Sequence, residues 1–227
     1  MKKALKILFW TTSGLAILFI VLLGLGVNSF QKIHGEVIGA YDKSYDEYIN
    51  NGDIIFQTSL SNQSKAIQLA TSSKYSHMGI IYKNDGQYFV YEAVQPVKLT
   101  PLTEWINRVK NGHYVIKRLR NAEKVLIPQI LTKMRTVGEK YNGKNYDIHF
   151  EWSDDKIYCS ELVWKIYKEA TNIEIGQLEQ LSDFDLTSDI VKAKMKERYG
   201  VNIPMEEKVI SPSAMFNSDK LITIEEK

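Results

Sequence analysis

Tyr75-Ser76-His77-Met78-Gly79-Ile80-Ile81-Tyr82-Lys83-Asn84-Asp85-Gly86-Gln87-Tyr88-Phe89-Val90-Tyr91-Glu92-Ala93 reads as two strands joined by a tight turn. Both arms are rich in aromatic and β-branched residues, which fit a pleated, half-buried surface. Asn84-Asp85-Gly86-Gln87 between them is hairpin chemistry, because Asp-Gly accepts the positive φ that a two-residue turn demands. A turn at Asp85-Gly86 sets residue 77 opposite residue 93 or 94, so Glu92 falls within one register step of His77.

Outward from the hairpin, the chain alternates strand-like and helical patterns without a repeating βαβ unit. Asn50-Asn51-Gly52 is a turn signal, and Asp53 to Gln57 then reads as a buried strand. Between Thr58 and Lys74, the spacing of Ala66, Ile67, Leu69 and Ala70 predicts a short helix. Thr100 as N-cap, Pro101 at the first helical position and Glu104 in the first turn predict another, closed by Gly112. His113 to Leu119 reads as a strand, residues 122–141 as one helix with Pro128 near its start, and Gly143 to Tyr146 as a turn. From Cys159, apolar Leu162, Val163, Ile166, Tyr167 and Ala170 mark one packed helical face that leaves the first turn free. Helical pieces follow Gly176, and Lys220 to Ile224 is β-like. The expected class is α+β, an antiparallel sheet packed against helices.

The chain has 227 residues, 44% hydrophobic and 25% charged, a composition that supports a packed core and excludes a disordered or fibrous chain. Lys2, Lys3 and Lys6 cluster at the start; without these three, 26 of the 29 basic residues face 27 acidic ones. Such a balance gives no electrostatic footprint for nucleic acid. Ile7 to Val27 is 21 uncharged, apolar residues. That length spans a hydrocarbon core of roughly 30 Å and exceeds the apolar region of a cleaved signal peptide. The expected organisation is therefore a transmembrane signal anchor over residues 1–30, a juxtamembrane segment over 31–50 and one catalytic domain over 51–227. With the lysines held in the cytoplasm, the domain is expected to be extracytoplasmic (periplasmic or extracellular) on a single-pass membrane protein.

A single cysteine in an exported chain has no intramolecular partner. Cys159 opens a helix, where unpaired N–H groups and the positive end of the helix dipole favour thiolate over thiol. An imidazole base would complete the minimal equipment for acyl transfer through a thioester. His77, at a strand end, is the first candidate; His149, in the aromatic run Tyr146 to Trp152, is its rival, and His34 and His113 are weaker. Glu92 is the candidate to orient the base. Against these stand plainer readings: a satisfied core histidine, a solvent-facing carboxylate and a buried thiol. Tyr146 and Tyr158 are candidates to support the oxyanion or the thiolate. Gln57 and Gln63 either border a cleft or are surface amides. Tyr75, Tyr91, Trp105 and Trp152 line a groove or simply fill the core. His77, Glu92 and Cys159 lack the close-spaced ligand pairs typical of zinc, so no metal and no cofactor is expected.

The chain resembles the permuted papain-like enzymes of the YiiX type, circularly rearranged relatives of NlpC-type cell-wall hydrolases and of the lecithin-retinol acyltransferase group. The resemblance lies in Gly52 to Gln57, Tyr75 to Ile81, Tyr91-Glu92-Ala93, Tyr146-Asp147 with Phe150, Trp152 to Asp155, Tyr158 to Val163, and Ser211-Pro212-Ser213. It implies a curved antiparallel sheet abutted by the nucleophile helix, with Cys159 as nucleophile, His77 as base and Glu92 as orienting residue. The function expected is a membrane-anchored cysteine hydrolase of amide or ester bonds, acting on a cell-wall peptide or a lipid-linked amide. The alternatives are an acyltransferase and a tethered lipid- or peptide-binding module without turnover. The partners expected are a small-molecule, peptide or lipid substrate and the membrane.

Overall fold

The hairpin forms at the register its turn dictates. In the computed structural model, which describes residues 47–227, Asn84 pairs with Gln87 and Ile80 with Tyr91. Asp85 and Gly86 between them take φ of 48° and 82°. The elements run β1 (Ile54–Ser59), α1 (Asn62–Ala70), β2 (His77–Asn84), β3 (Gln87–Glu92), β4 (Lys98–Pro101), α2 (Leu102–Asn107) and β5 (Val109–Leu119). There follow α3 (Ala122–Val125), α4 (Pro128–Glu139), α5 (Cys159–Thr171), β6 (Glu179–Gln180), α6 (Asp189–Tyr199), β7 (Lys208–Val209), α7 (Pro212–Phe216) and β8 (Leu221–Glu226). Six strands make one sheet in the order β4-β3-β2-β1-β5-β8, every neighbouring pair antiparallel. A second, two-stranded sheet joins β6 and β7.

Period-two alternation divides the sheet between two cores. Ile54, Phe56, Ile80, Tyr91 and Val115 meet Val137 of α4 and Leu162, Val163 and Ile166 of α5. Ile55, Ile81, Val90 and Ile116 point the other way, onto Leu102 and Trp105 of α2. Each fully buried aliphatic side chain contributes about 1.5–3 kcal/mol, so the two faces together fix where the strand ends lie. A third cluster joins Ala66 of α1 to Leu181 and to Val191 and Met195 of α6.

The structure redraws three expected elements. Thr100 does not cap a helix: it is a buried residue of β4, and the helix begins at Leu102 after Pro101. That helix ends at Asn107, and β5 starts at Val109, running through Asn111 and Gly112, both at positive φ. The helix expected over 122–141 is split at Pro128, which starts α4, because proline lacks the N–H that would continue α3. The expected transmembrane segment, and all of the expected juxtamembrane segment before Glu47, lie outside the described residues. Among the described residues no helix is long and apolar enough to cross a membrane.

Gly79 carries a demand invisible in the sequence. A Cβ there would lie 2.4 Å from Val90 Cγ1 and 2.7 Å from the Tyr91 carbonyl, with Glu92 Cβ at 3.3 Å. The backbones of β2 and β3 therefore close up beside Glu92 only because position 79 has no side chain. Gly79→Ala is expected to cost about 1–3 kcal/mol, the usual range for overpacking, measurable as a lowered urea midpoint. An unchanged midpoint would show that the hairpin yields freely at this point.

Candidate active site

Two elements bring the candidate residues together. His77 is the first residue of β2 and Glu92 the last of β3, so the antiparallel register places them as diagonal neighbours on one face. His77 Nε2 lies 2.6 Å from Glu92 Oε2. Cys159 is the first residue of α5, with Tyr158 in extended conformation as its N-cap. The packing of α5 on the sheet sets Cys159 near enough to the imidazole to influence its ionisation, beside the Glu92 hydrogen bond. Because Nε2 is committed to Glu92, Nδ1 is the nitrogen left for a second partner.

Glu92 is wholly buried and its oxygens are saturated. Oε2 accepts from His77 and, at 3.0 Å, from the Trp105 indole N–H. Oε1 accepts from Thr100 Oγ1 at 2.6 Å and from Arg108 at 2.5 Å. Burial alone would raise this carboxyl, but the His77 hydrogen bond and charge, then Thr100 and Arg108, bring it down to about 2. Burial likewise pulls the His77 imidazole down, and the hydrogen bonds and charges of Cys159 and Glu92 reverse this to about 10. These influences favour the protonated form of His77, with the Glu92 carboxylate as its ion-pair partner.

The sign of the linkage follows. A histidine whose folded value exceeds its unfolded value stabilises the fold fully below about 6.5 and loses that contribution as pH rises through about 10. The difference in Tm between wild type and His77→Gln is therefore expected to narrow between pH 8 and 11; a difference that widens there would contradict the cationic assignment.

Cys159 also borders a groove. Its walls include Ala66 and Ile67 of α1, Leu181, Phe184, and Val191 and Met195 of α6. Among the described residues, no aspartate or glutamate lines it. Cys159 as a residue is 2% exposed, so a ligand would reach it through this groove rather than from bulk solvent.

Tyr146 is set beside the nucleophile by a short parallel bridge to Ile157. Its hydroxyl oxygen accepts from Gln63 Nε2 at 2.9 Å, which leaves its own proton free for another acceptor. Burial first, and then the nearby Cys159 charge, push its pKa well above 10, so it stays protonated. Tyr158 directs its hydroxyl to the backbone N–H of Ile210 at 3.1 Å, tying the start of α5 to the groove wall. Glu161 accepts the Tyr158 N–H at 3.4 Å and lies 2.8 Å from Lys165. Burial raises this carboxyl to about 8 despite that lysine.

Several sequence expectations resolve differently. His149 packs its ring against Tyr199 at 5.8 Å and is not a partner of Cys159. His113 stacks on Tyr75, and His34 lies outside the described residues. Gln57 is buried rather than a surface amide, and it does not line the groove, whereas Gln63 does. Of the aromatics singled out in the sequence, Tyr146 and Tyr158 line the groove, together with Phe150 and Phe184; Tyr75, Tyr91 and Trp105 are core, and Trp152 packs on Trp164. The residues that sequence reasoning missed are Thr100, Trp105 and Arg108 around Glu92, and the α6 wall of the groove. Trp105 and Arg108 sit three apart on a short helical segment, a spacing shared by countless helix faces, so nothing local marks them.

A family model described as "Permuted papain-like amidase enzyme, YaeF/YiiX, C92 family" matches residues 48–225. A protein of Escherichia coli (strain K12) named "Uncharacterized protein YiiX" is 49% identical over 173 residues, which is 76% of this chain and 84% of that protein. A solved structure titled "Crystal structure of metalloprotein yiiX from Escherichia coli O157:H7, DUF1105" aligns with a TM-score of 0.75 at 47% identity, covering 78% of this chain and 97% of that one. With its hairpin, its cysteine-led helix and its match over residues 48–225, the chain belongs to the permuted papain-like amidase family of the YaeF/YiiX type.

Proposed function

We propose that the protein is a cysteine hydrolase that cleaves the amide bond of a lipid-linked or otherwise acylated substrate, tethered to the membrane through residues 1–30 with its catalytic domain outside the cytoplasm. The observation that carries the substrate class is the groove: its aliphatic wall, opening on Cys159, suits an acyl chain better than the polar stem of a cell-wall peptide. The tether would hold that groove near a bilayer.

In this mechanism the Cys159 thiolate adds to the amide carbonyl carbon. The backbone N–H of Cys159 and the free hydroxyl proton of Tyr146 bind the developing oxyanion. The C–N bond breaks as His77 Nδ1–H passes its proton to the departing amine, leaving a thioester on Cys159 and a neutral imidazole. That imidazole then takes a proton from water. The hydroxide equivalent adds to the thioester carbonyl, and the acid product leaves with the thiolate restored. Glu92 keeps Nε2 protonated and Nδ1 aimed at sulfur throughout.

The related crystal structure carries "metalloprotein" in its title. The residues here do not fit a metal at this site. Among the described residues no three His, Cys, Asp or Glu side chains converge as a ligand set. The Glu92 oxygens are already taken by four donors, which leaves His77 and Cys159, short of the three protein ligands of a catalytic zinc.

The test is to mix the protein with N-octanoyl-7-amino-4-methylcoumarin and follow both fluorophore release and the mass of the Cys159 peptide after acid quench. Released fluorophore with an octanoyl thioester on Cys159 is the expected result. No release and no adduct would overturn the hydrolase reading; saturable binding without release would favour the binding module.

A further inference from the structure

Several cations packed into this fold face carboxylates, whereas Arg198, beside the groove, does not. Arg118 lies on Asp53, Arg108 on Glu92, Lys165 on Glu161, and Lys194 on Glu197. Arg198, half-buried near the end of α6, makes no hydrogen bond and no ion pair among the described residues. Its guanidinium stacks 4.7 Å from the centre of the Phe150 ring and lines the same groove as Cys159 and Tyr146.

The neighbouring acids do not answer it. Asp147 is buried and spends its two oxygens on the N–H groups of His149 and Glu151, at 2.8 and 2.6 Å. Glu197 pairs with Lys194 at 2.6 Å. Tyr199 gives its hydroxyl proton to the His149 carbonyl. A partly desolvated cation without a partner carries a cost that an incoming anion would relieve. Burial is also the main influence on Arg198, drawing its pKa down. Guanidinium presents a planar fork of donors matched to carboxylate or phosphate oxygens.

We propose that Arg198 recognises an anionic group on the substrate, so that the groove takes an N-acyl amide bearing a carboxylate or phosphate close to the scissile bond, as in an N-acylated amino acid. This inference deepens the hydrolase reading and depends on it only for where the scissile bond lies. The aliphatic wall takes the chain and Arg198 the anion. Arg198 acts here as a specificity residue.

Binding to the full chain carrying Cys159→Ala separates the inference from turnover. Calorimetry with N-octanoylglycine and with its uncharged isostere N-octanoylglycinamide is expected to show the acid binding about 10- to 100-fold tighter, the range of a lost hydrogen bond to a charged group. Arg198→Gln should collapse that ratio towards one, and Arg198→Lys should keep part of it. N-octanoyl-aminomethylphosphonate, run alongside, tells whether a phosphate or a carboxylate is the better match. Equal affinity for acid and amide, or a preference that survives Arg198→Gln, would overturn the assignment. Hydrolysis of the same compounds by the wild-type chain reports separately on the hydrolase reading, so loss of turnover with the affinity ratio intact would sink that reading alone.

Discussion

Cys159→Ala is expected to lower kcat/KM for acyl-amide hydrolysis by about 10^4- to 10^6-fold, the scale seen when the nucleophile of a catalytic unit is removed. The chain has one cysteine, so no second thiol can substitute. Cys159 is small, buried and part of the sheet–helix core, and alanine fills nearly the same space, so stability should change far less than activity. Cys159→Ser should be nearly as inactive: serine keeps the hydrogen-bonding shape, but its hydroxyl does not ionise as a thiol does. Hydrolysis rates and thermal denaturation on the same preparations decide the matter. A stable Cys159→Ala variant with wild-type turnover would remove Cys159 from the mechanism.

Glu92→Gln should damage both stability and rate. The carboxylate is wholly buried and accepts from His77, Trp105, Thr100 and Arg108. An amide offers one oxygen and turns an N–H2 towards groups that are all donors, leaving His77 and Arg108 facing no negative charge. Breaking a buried pair in this way costs about 3–5 kcal/mol, readable as a fall in the urea midpoint. His77 should also lose its cationic state, because the Glu92 hydrogen bond and charge help offset the burial that pulls its pKa down. With the imidazole unfixed, kcat/KM is expected to fall by about 10^2- to 10^4-fold. Wild-type stability together with wild-type rate in this variant would show that Glu92 neither orients nor charges His77.

The parts of the site legible in the sequence are those set by local rules. Asp85-Gly86 fixed a turn, and the turn fixed a register that sets Glu92 within one step of His77. Cys159 at the head of an amphipathic run told which helix would carry the sulfur. What stayed hidden depends on long-range packing. Thr100-Pro101 carries a strong helix-start pattern, yet pairing with β3 holds Thr100 in a strand, where it serves Glu92 instead. The groove is assembled from α1, residues 181–186, α6 and residues 209–212, segments up to about 150 residues apart in the chain. Arg198 is one of many basic residues in a highly charged helix; only folding shows that its guanidinium lines the groove against Phe150.

The account stands most directly on the ionisation of His77. Selective 15N labelling of histidine in the full chain lets each ring be titrated by NMR, with His77 assigned by its loss in His77→Gln. The expected result is an imidazole that stays protonated through neutral pH and titrates near 10, and whose titration moves to lower pH in Cys159→Ala as the sulfur's share is removed. A His77 that titrates near 6.5 and ignores the loss of Cys159 would mean that sulfur and imidazole do not form a pair.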